Sequence, residues 1–249
     1  MRRTRTDIMG MPIHIDIPNA KDDTLFDAAF ARFSEIDQRF STYRDDSEIA
    51  GINRDELALE DASVEMHTIL ALAERTKQET NGYFDIRRPD GSIDPSGIVK
   101  GWAIKEVADL LARGGAANLM VDVAGDIATR GTNEHGEPWT IGIRNPFAHD
   151  EIVKVVRPGG KGIATSGSAA RGAHIYDPHD PARPLDEVAS ITVIGPDVRE
   201  ADRFATAAFA MGARGVDFIE GLDGFEAYSI DRGGIATMTS GFLSYVVAS

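Results

Sequence analysis

Apolar positions change their period several times along the chain. Between residues 23 and 36 they fall at Leu25, Phe26, Ala29, Phe33 and Ile36, three and four apart, which predicts a helix with Asp22 and Asp23 at its start. Residues 64–80 repeat that spacing and stop at the turn pair Asn81-Gly82. A third helix is predicted over 101–113, closed by Gly114-Gly115, and a fourth over 199–211, after the breaker Gly195-Pro196. Shorter runs predict strands at 8–17, 118–123, 139–144, 152–156, 162–165, 189–194, 225–230, 234–238 and 243–247. Helices and strands mix without regular βαβ alternation. The expected fold is therefore α+β, one domain over residues 1–249, with a largely antiparallel sheet and packed helices.

Composition narrows the function. Lys plus Arg number 26 against 40 Asp plus Glu, a formal charge of −14 in 249 residues. That balance repels a phosphate backbone, so no nucleic-acid partner is expected, and it favours a divalent cation. With no cysteine, disulfides, thiolate-held metals and thiol nucleophiles are excluded. No run approaches the roughly 18 apolar residues of a membrane span, so no transmembrane segment is expected. Three arginines in the first five residues suggest a secretory start, but Gly10 and Pro12 break the apolar stretch after them. A cytoplasmic location is the resulting expectation.

Common catalytic patterns are missing. No G-x-G-x-x-G follows a strand, and there is no G-x-x-x-x-G-K-[ST], H-E-x-x-H or G-x-S-x-G. Five less familiar stretches remain. In Ala201 to Ala208, Asp202 and Thr206 stand four apart on one helix face, where a carboxylate and a hydroxyl suit Mg²⁺. Asp202 equally suits the first turn of a helix through the macrodipole. In Gly162 to Pro178, a strand runs into Thr165-Ser166-Gly167, which can present hydroxyls and N–H groups to an anion, and His174 suits general-base work. A plain turn with a partly buried histidine reads the same way. Asp94 to Ala103 places Gly97 and Gly101 where backbone can approach a ligand and Lys100 where it can meet a phosphate or a carboxylate. There Trp102 suits either a planar ring or the core. Asn81 to Asp85 and Phe40 to Asn53 each fit a surface turn.

Taken in order, these stretches, with Met9-Gly10 and Val121 to Gly131, resemble the ApbE family, the FAD:protein FMN transferases. The resemblance implies a Mg²⁺-dependent transferase that splits FAD, moves FMN onto a Thr or Ser hydroxyl of an acceptor flavoprotein and releases AMP. It assigns the metal to Asp202 and Thr206 with a backbone carbonyl near Gly97. Flavin and adenosine contacts would fall to Met9, Tyr43, Tyr83, Phe84, Asp85, Asp94, Lys100, Thr165 and Tyr176, and His174 would stand by the reacting phosphate. A cation between carboxylates and a pyrophosphate also makes sense of the acidic balance. Water in place of the hydroxyl would make the chain an FAD pyrophosphatase, and loss of turnover would leave an FAD-binding protein. The family's usual Met-Gly-Thr reads Met9-Gly10-Met11, its Gly-Gly-Asp reads Ala124-Gly125-Asp126, and Lys105 replaces a common acidic residue.

Overall fold

Arg2–Ile8 (β1) and Met11–Asp16 (β2) form a hairpin whose two-residue turn carries Met9 at φ 56° and Gly10 at φ 64°. Both values lie in the left-handed region that such a tight turn requires. This corrects the single strand predicted over 8–17. Arg2, Arg3 and Arg5 belong to a strand and pair with Asp16, Asp23 and Asp7. The structure, a computed structural model, describes residues 1–167 and 175–247.

The predicted helices form with shifted ends. They are Thr24–Phe40 (α1), Val64–Glu79 (α3), Ser96–Arg113 (α4) and Val198–Ala210 (α5). A short helix, Glu48–Asn53 (α2), lies inside the stretch read as a turn. Ser47 caps it by accepting the Ala50 N–H, a signal the sequence carried. Gly215–Glu220 (α6) follows α5. The start of α4 at Ser96, ahead of the predicted start at Gly101, puts Gly97 inside the helix as well.

Leu119–Val123 (β3), Asp126–Arg130 (β4), Gly162–Gly167 (β7), Val188–Gly195 (β8), Glu226–Asp231 (β9) and Ala236–Met238 (β10) complete an eight-stranded sheet. Its order is β1-β2-β3-β4-β7-β8-β9-β10, with every described pairing antiparallel. Ile141–Asn145 (β5) and Ala148–Val156 (β6) form a separate hairpin. Helices pack on the sheet as the α+β expectation required. β4 had no separate prediction, and the last predicted strand, 243–247, is instead a 3₁₀ turn, Phe242–Tyr245, with a lone bridge from Val246 to Val156.

One joint in the sheet matters most. β4 and β7 share a single paired position, Ile127 with Ile163, whereas β7 and β8 share six. The strands diverge there, and α4 and α5 close one side of the gap. Apolar side chains of β2, β3, α1 and α4 form the core on one flank, and those of β8, β9, α5 and α6 form it on the other.

Candidate active site

Small residues bring α4, α5 and β7 into close contact. Asp197 accepts the Glu200 N–H at 3.0 Å and starts α5, whose Ala201, Ala205, Ala207 and Ala208 are fully buried. A Cβ on Gly162 of β7 would lie 2.0 Å from the Val198 nitrogen, and one on Gly101 would lie 2.6 Å from the Asp202 Cβ. Glycine is required at both positions for this approach.

Asp202 is buried by that contact. Its Oδ2 accepts the Gly101 N–H at 2.7 Å, and its Oδ1 lies 3.7 Å from the Lys100 Nζ. Lys100 also pairs with Asp126, with Nζ 2.5 Å from Oδ2. Asp126 is fully buried and takes the Thr165 N–H on Oδ1 at 2.9 Å, so a carboxylate replaces a strand contact where β4 and β7 part. Burial pushes the Asp202 carboxyl well above the ordinary carboxylate range. Lys100 opposes the shift, neighbouring Asp126 reinforces it, and the Gly101 N–H opposes it more weakly. Two carboxylates thus face one ammonium, and the raised Asp202 pKa means that a proton or a cation must balance the second carboxylate.

Lys100 and Asp202 border a cavity of about 550 Å³ that also reaches β4, β5 and β7. Such a volume falls within the roughly 300–1,000 Å³ of small-molecule sites. Thr206, one turn after Asp202, lines it with its Oγ1 3.5 Å from the Ser166 Oγ. Phe84 packs its ring over Gly97, where a Cβ would come within 3.3 Å of it. Its N–H donates to the Thr80 Oγ1 at 3.1 Å. Asp85 pairs with Lys77 at 2.7 Å, and Asp94 pairs with Arg88 while accepting the Ser96 N–H at 3.1 Å. The Tyr176 hydroxyl donates to the Arg87 carbonyl at 3.0 Å, and its pKa is raised, chiefly by burial. The Tyr83 hydroxyl meets Arg214, and its ring meets His179 edge-on. Thr165 links to Thr192 by a hydroxyl contact of 2.8 Å.

Ten of the residues singled out from sequence therefore share this cavity: Tyr83, Phe84, Asp85, Asp94, Gly97, Lys100, Thr165, Tyr176, Asp202 and Thr206. Two do not. Met9 sits in the β1–β2 turn and packs on the core, and Tyr43 is 93% exposed between α1 and α2. His174 lies outside the described residues. Trp102 is a core residue, buried edge-on to Phe40, and Lys105 pairs with Asp109 on α4.

The sequence places Asp126 only in the Ala124-Gly125-Asp126 motif and assigns no role to it or to Asp122; the burial of Asp126 is revealed by the β4–β7 divergence. Asp122 lines the cavity and accepts the Gly125 N–H at 2.8 Å, and its pKa is raised, chiefly by burial. Ala124 beside it has φ 52°, the left-handed region that glycine enters freely. The whole β5 edge was missed as well.

The donors suit a hard cation. Among the described residues no three His, Cys, Asp or Glu side chains gather at one point. The site instead offers two buried carboxylates for one ammonium, and a carboxylate and a hydroxyl on one helix turn. Such a set leaves coordination positions for phosphate oxygens and water, as Mg²⁺ prefers.

Known proteins share this architecture. The sequence model of the ApbE family matches residues 9–88 and 86–229. An FAD:protein FMN transferase of Vibrio cholerae is 34% identical over 171 residues, covering 65% of this chain and 49% of the relative. One from Escherichia coli is 30% identical over 184 residues, covering 69% and 52%. The chain thus spans about half the length of these curated relatives. The solved flavin transferase ApbE from Vibrio cholerae superposes with a TM-score of 0.84 at 26% identity, covering 98% of this chain and 99% of that one. An ApbE protein of Thermotoga maritima shares the fold at 18% identity, with a TM-score of 0.86.

Proposed function

Because the chain belongs to the ApbE family, we propose that it transfers FMN from FAD to a Thr or Ser hydroxyl of an acceptor flavoprotein and releases AMP. One observation carries the reading: Lys100 and Asp202, tied to buried Asp126, border a cavity large enough for a nucleotide, with Thr206 one helix turn away on its wall. Asp202 and Thr206 would hold Mg²⁺, with a backbone carbonyl near Gly97. When bound, the ion would offset the pyrophosphate charge and polarise its oxygens.

The remaining steps belong to the protein. Gly101 fixes the Asp202 carboxylate through its N–H, and Lys100 anchors Asp126, whose Oδ1 in turn holds the Thr165 N–H on β7. Phe84, Tyr83 and Tyr176 offer aromatic and polar surface to the flavin and adenine rings. Asp85 and Asp94, each held by a basic neighbour, offer acceptors to ribityl and ribose hydroxyls. His174 takes the proton from the acceptor hydroxyl as it attacks.

The test combines the protein, FAD, Mg²⁺ and an acceptor flavoprotein. An acceptor that gains the mass of FMN and fluoresces in a denaturing gel supports transfer. Free FMN and AMP with no modified protein would mean hydrolysis, and unchanged FAD would mean binding only.

A further inference from the structure

Residues 140–146 all border the cavity, although Ile141 and Ile143 are buried in the core while Gly142 and Arg144 face the opposite way and are exposed. Successive side chains of a strand point to opposite faces. A strand that lines a cavity through both sets must therefore turn its edge, the row of main-chain N–H and C=O groups, toward it. Among the described residues β5 pairs only with β6. The far edge of β6 is taken: Val247 donates its N–H to the Val155 carbonyl at 2.9 Å, and Arg157 donates to the Tyr245 carbonyl at 2.8 Å. The unpaired edge of this hairpin is the one facing the chemistry.

We propose that the acceptor polypeptide docks here as an added strand on β5, in extended form, with its Thr or Ser carried into the cavity beside Thr206 and Lys100. This rests on the transfer reading, which requires a polypeptide hydroxyl to reach the cavity that holds the phosphates. An open strand edge binds extended chain through main-chain hydrogen bonds and leaves side chains to be read by flanking pockets. Half-exposed Ile152 of β6 reaches across Gly142 to line the cavity, and half-exposed Phe147 stands at the hairpin tip, so apolar acceptor residues would have a surface to cover.

The test uses a twelve-residue peptide spanning the target hydroxyl of an acceptor flavoprotein, with FAD, Mg²⁺ and the full chain. Two further peptides carry backbone N-methyl groups at odd or at even positions. Strand pairing engages only alternate amides, so one N-methyl series should show KM raised about ten-fold, the size of one or two lost hydrogen bonds, with kcat little changed. The other series should match the parent peptide. Amide exchange over residues 140–145 should slow when the peptide is added. Equal transfer to both series, or unaltered exchange at 140–145 while the peptide is modified, overturns the docking mode and leaves transfer standing. Hydrolysis of FAD with neither peptide nor intact acceptor modified overturns the transfer reading, and docking with it.

Discussion

Replacing Gly101 by alanine isolates the contact that orients Asp202. The new Cβ would lie 2.6 Å from the Asp202 Cβ, 2.9 Å from its Oδ2 and 2.9 Å from the Val198 carbonyl oxygen. Ordinary contact starts near 3.4 Å, so α4 and α5 must separate by about 0.8 Å. Alanine gains about 1 kcal/mol of helix propensity over glycine, while overpacking costs about 1–3 kcal/mol. The net loss reaches about 2 kcal/mol, and Tm falls by up to about 8 °C in a chain of this size. Function should suffer more than stability. A displacement near 1 Å of a positioned group costs on the order of 100-fold in rate, so AMP release from FAD should fall about that far, and more Mg²⁺ should be needed. Calorimetry in EDTA and an AMP assay across a Mg²⁺ titration measure both. Gly97→Ala, where the nearest contact is 3.3 Å, serves as the milder comparison. Wild-type turnover and wild-type Mg²⁺ demand in Gly101→Ala would refute the claim that this contact sets the metal site.

Other expectations follow from the triad and its surroundings. Asp202→Asn keeps an acceptor for the Gly101 N–H and removes the second buried carboxylate, so Tm in EDTA should hold or rise while Mg²⁺-stimulated AMP release falls to background. A drop in Tm comparable to that of a core mutant would contradict this. Lys100→Met leaves Asp126 and Asp202 without a counter-charge and should destabilise the protein by about 3–5 kcal/mol, read from urea midpoints, with added Mg²⁺ recovering part of the loss. Ala124→Gly relieves a left-handed backbone and should raise stability by about 1 kcal/mol; no gain would show the turn to be relaxed already. The raised Asp202 pKa fixes a sign with pH. Without cation, its contribution to stability is full below the unfolded carboxylate pKa of about 3.9 and is lost as pH rises through the folded value. A divalent cation competes with that proton, so the rise in Tm on adding Mg²⁺ should be larger at pH 8 than at pH 5.5. An increment independent of pH would argue that another group holds the ion.

The hydrophobic period located the long helices because each buries a continuous stripe, as Phe26, Phe33 and Ile36 do on α1. It failed where backbone geometry decides. Nothing in the apolar alternation of 8–17 shows that Met9 turns left-handed, so that the strand starts at Met11 and residues 2–8 fold back as its partner. Gly97 fell outside the helix predicted from Gly101 because glycine usually breaks helices, but here packing against Phe84 outweighs propensity. At the site, Asp202, Thr206 and Lys100 were legible because their spacing and chemistry are local. Asp126 and the β5 edge were not, since their roles come from two strands parting and from a hairpin joined to no other strand in the described residues. Side-chain lists do not encode main-chain exposure.

The single rung joining β4 to β7 gives the molecule a seam. On one bank stand Asp126 and Lys100, on the other Thr165, Asp202 and Thr206, and the cavity lies along the crack between them. Anything lodged there acts as a rivet across the weakest joint of the sheet, stiffening a place that backbone pairing leaves slack. Occupancy should therefore be felt mechanically as well as chemically, as resistance to protease and to forced opening that spreads from the seam into both flanking cores.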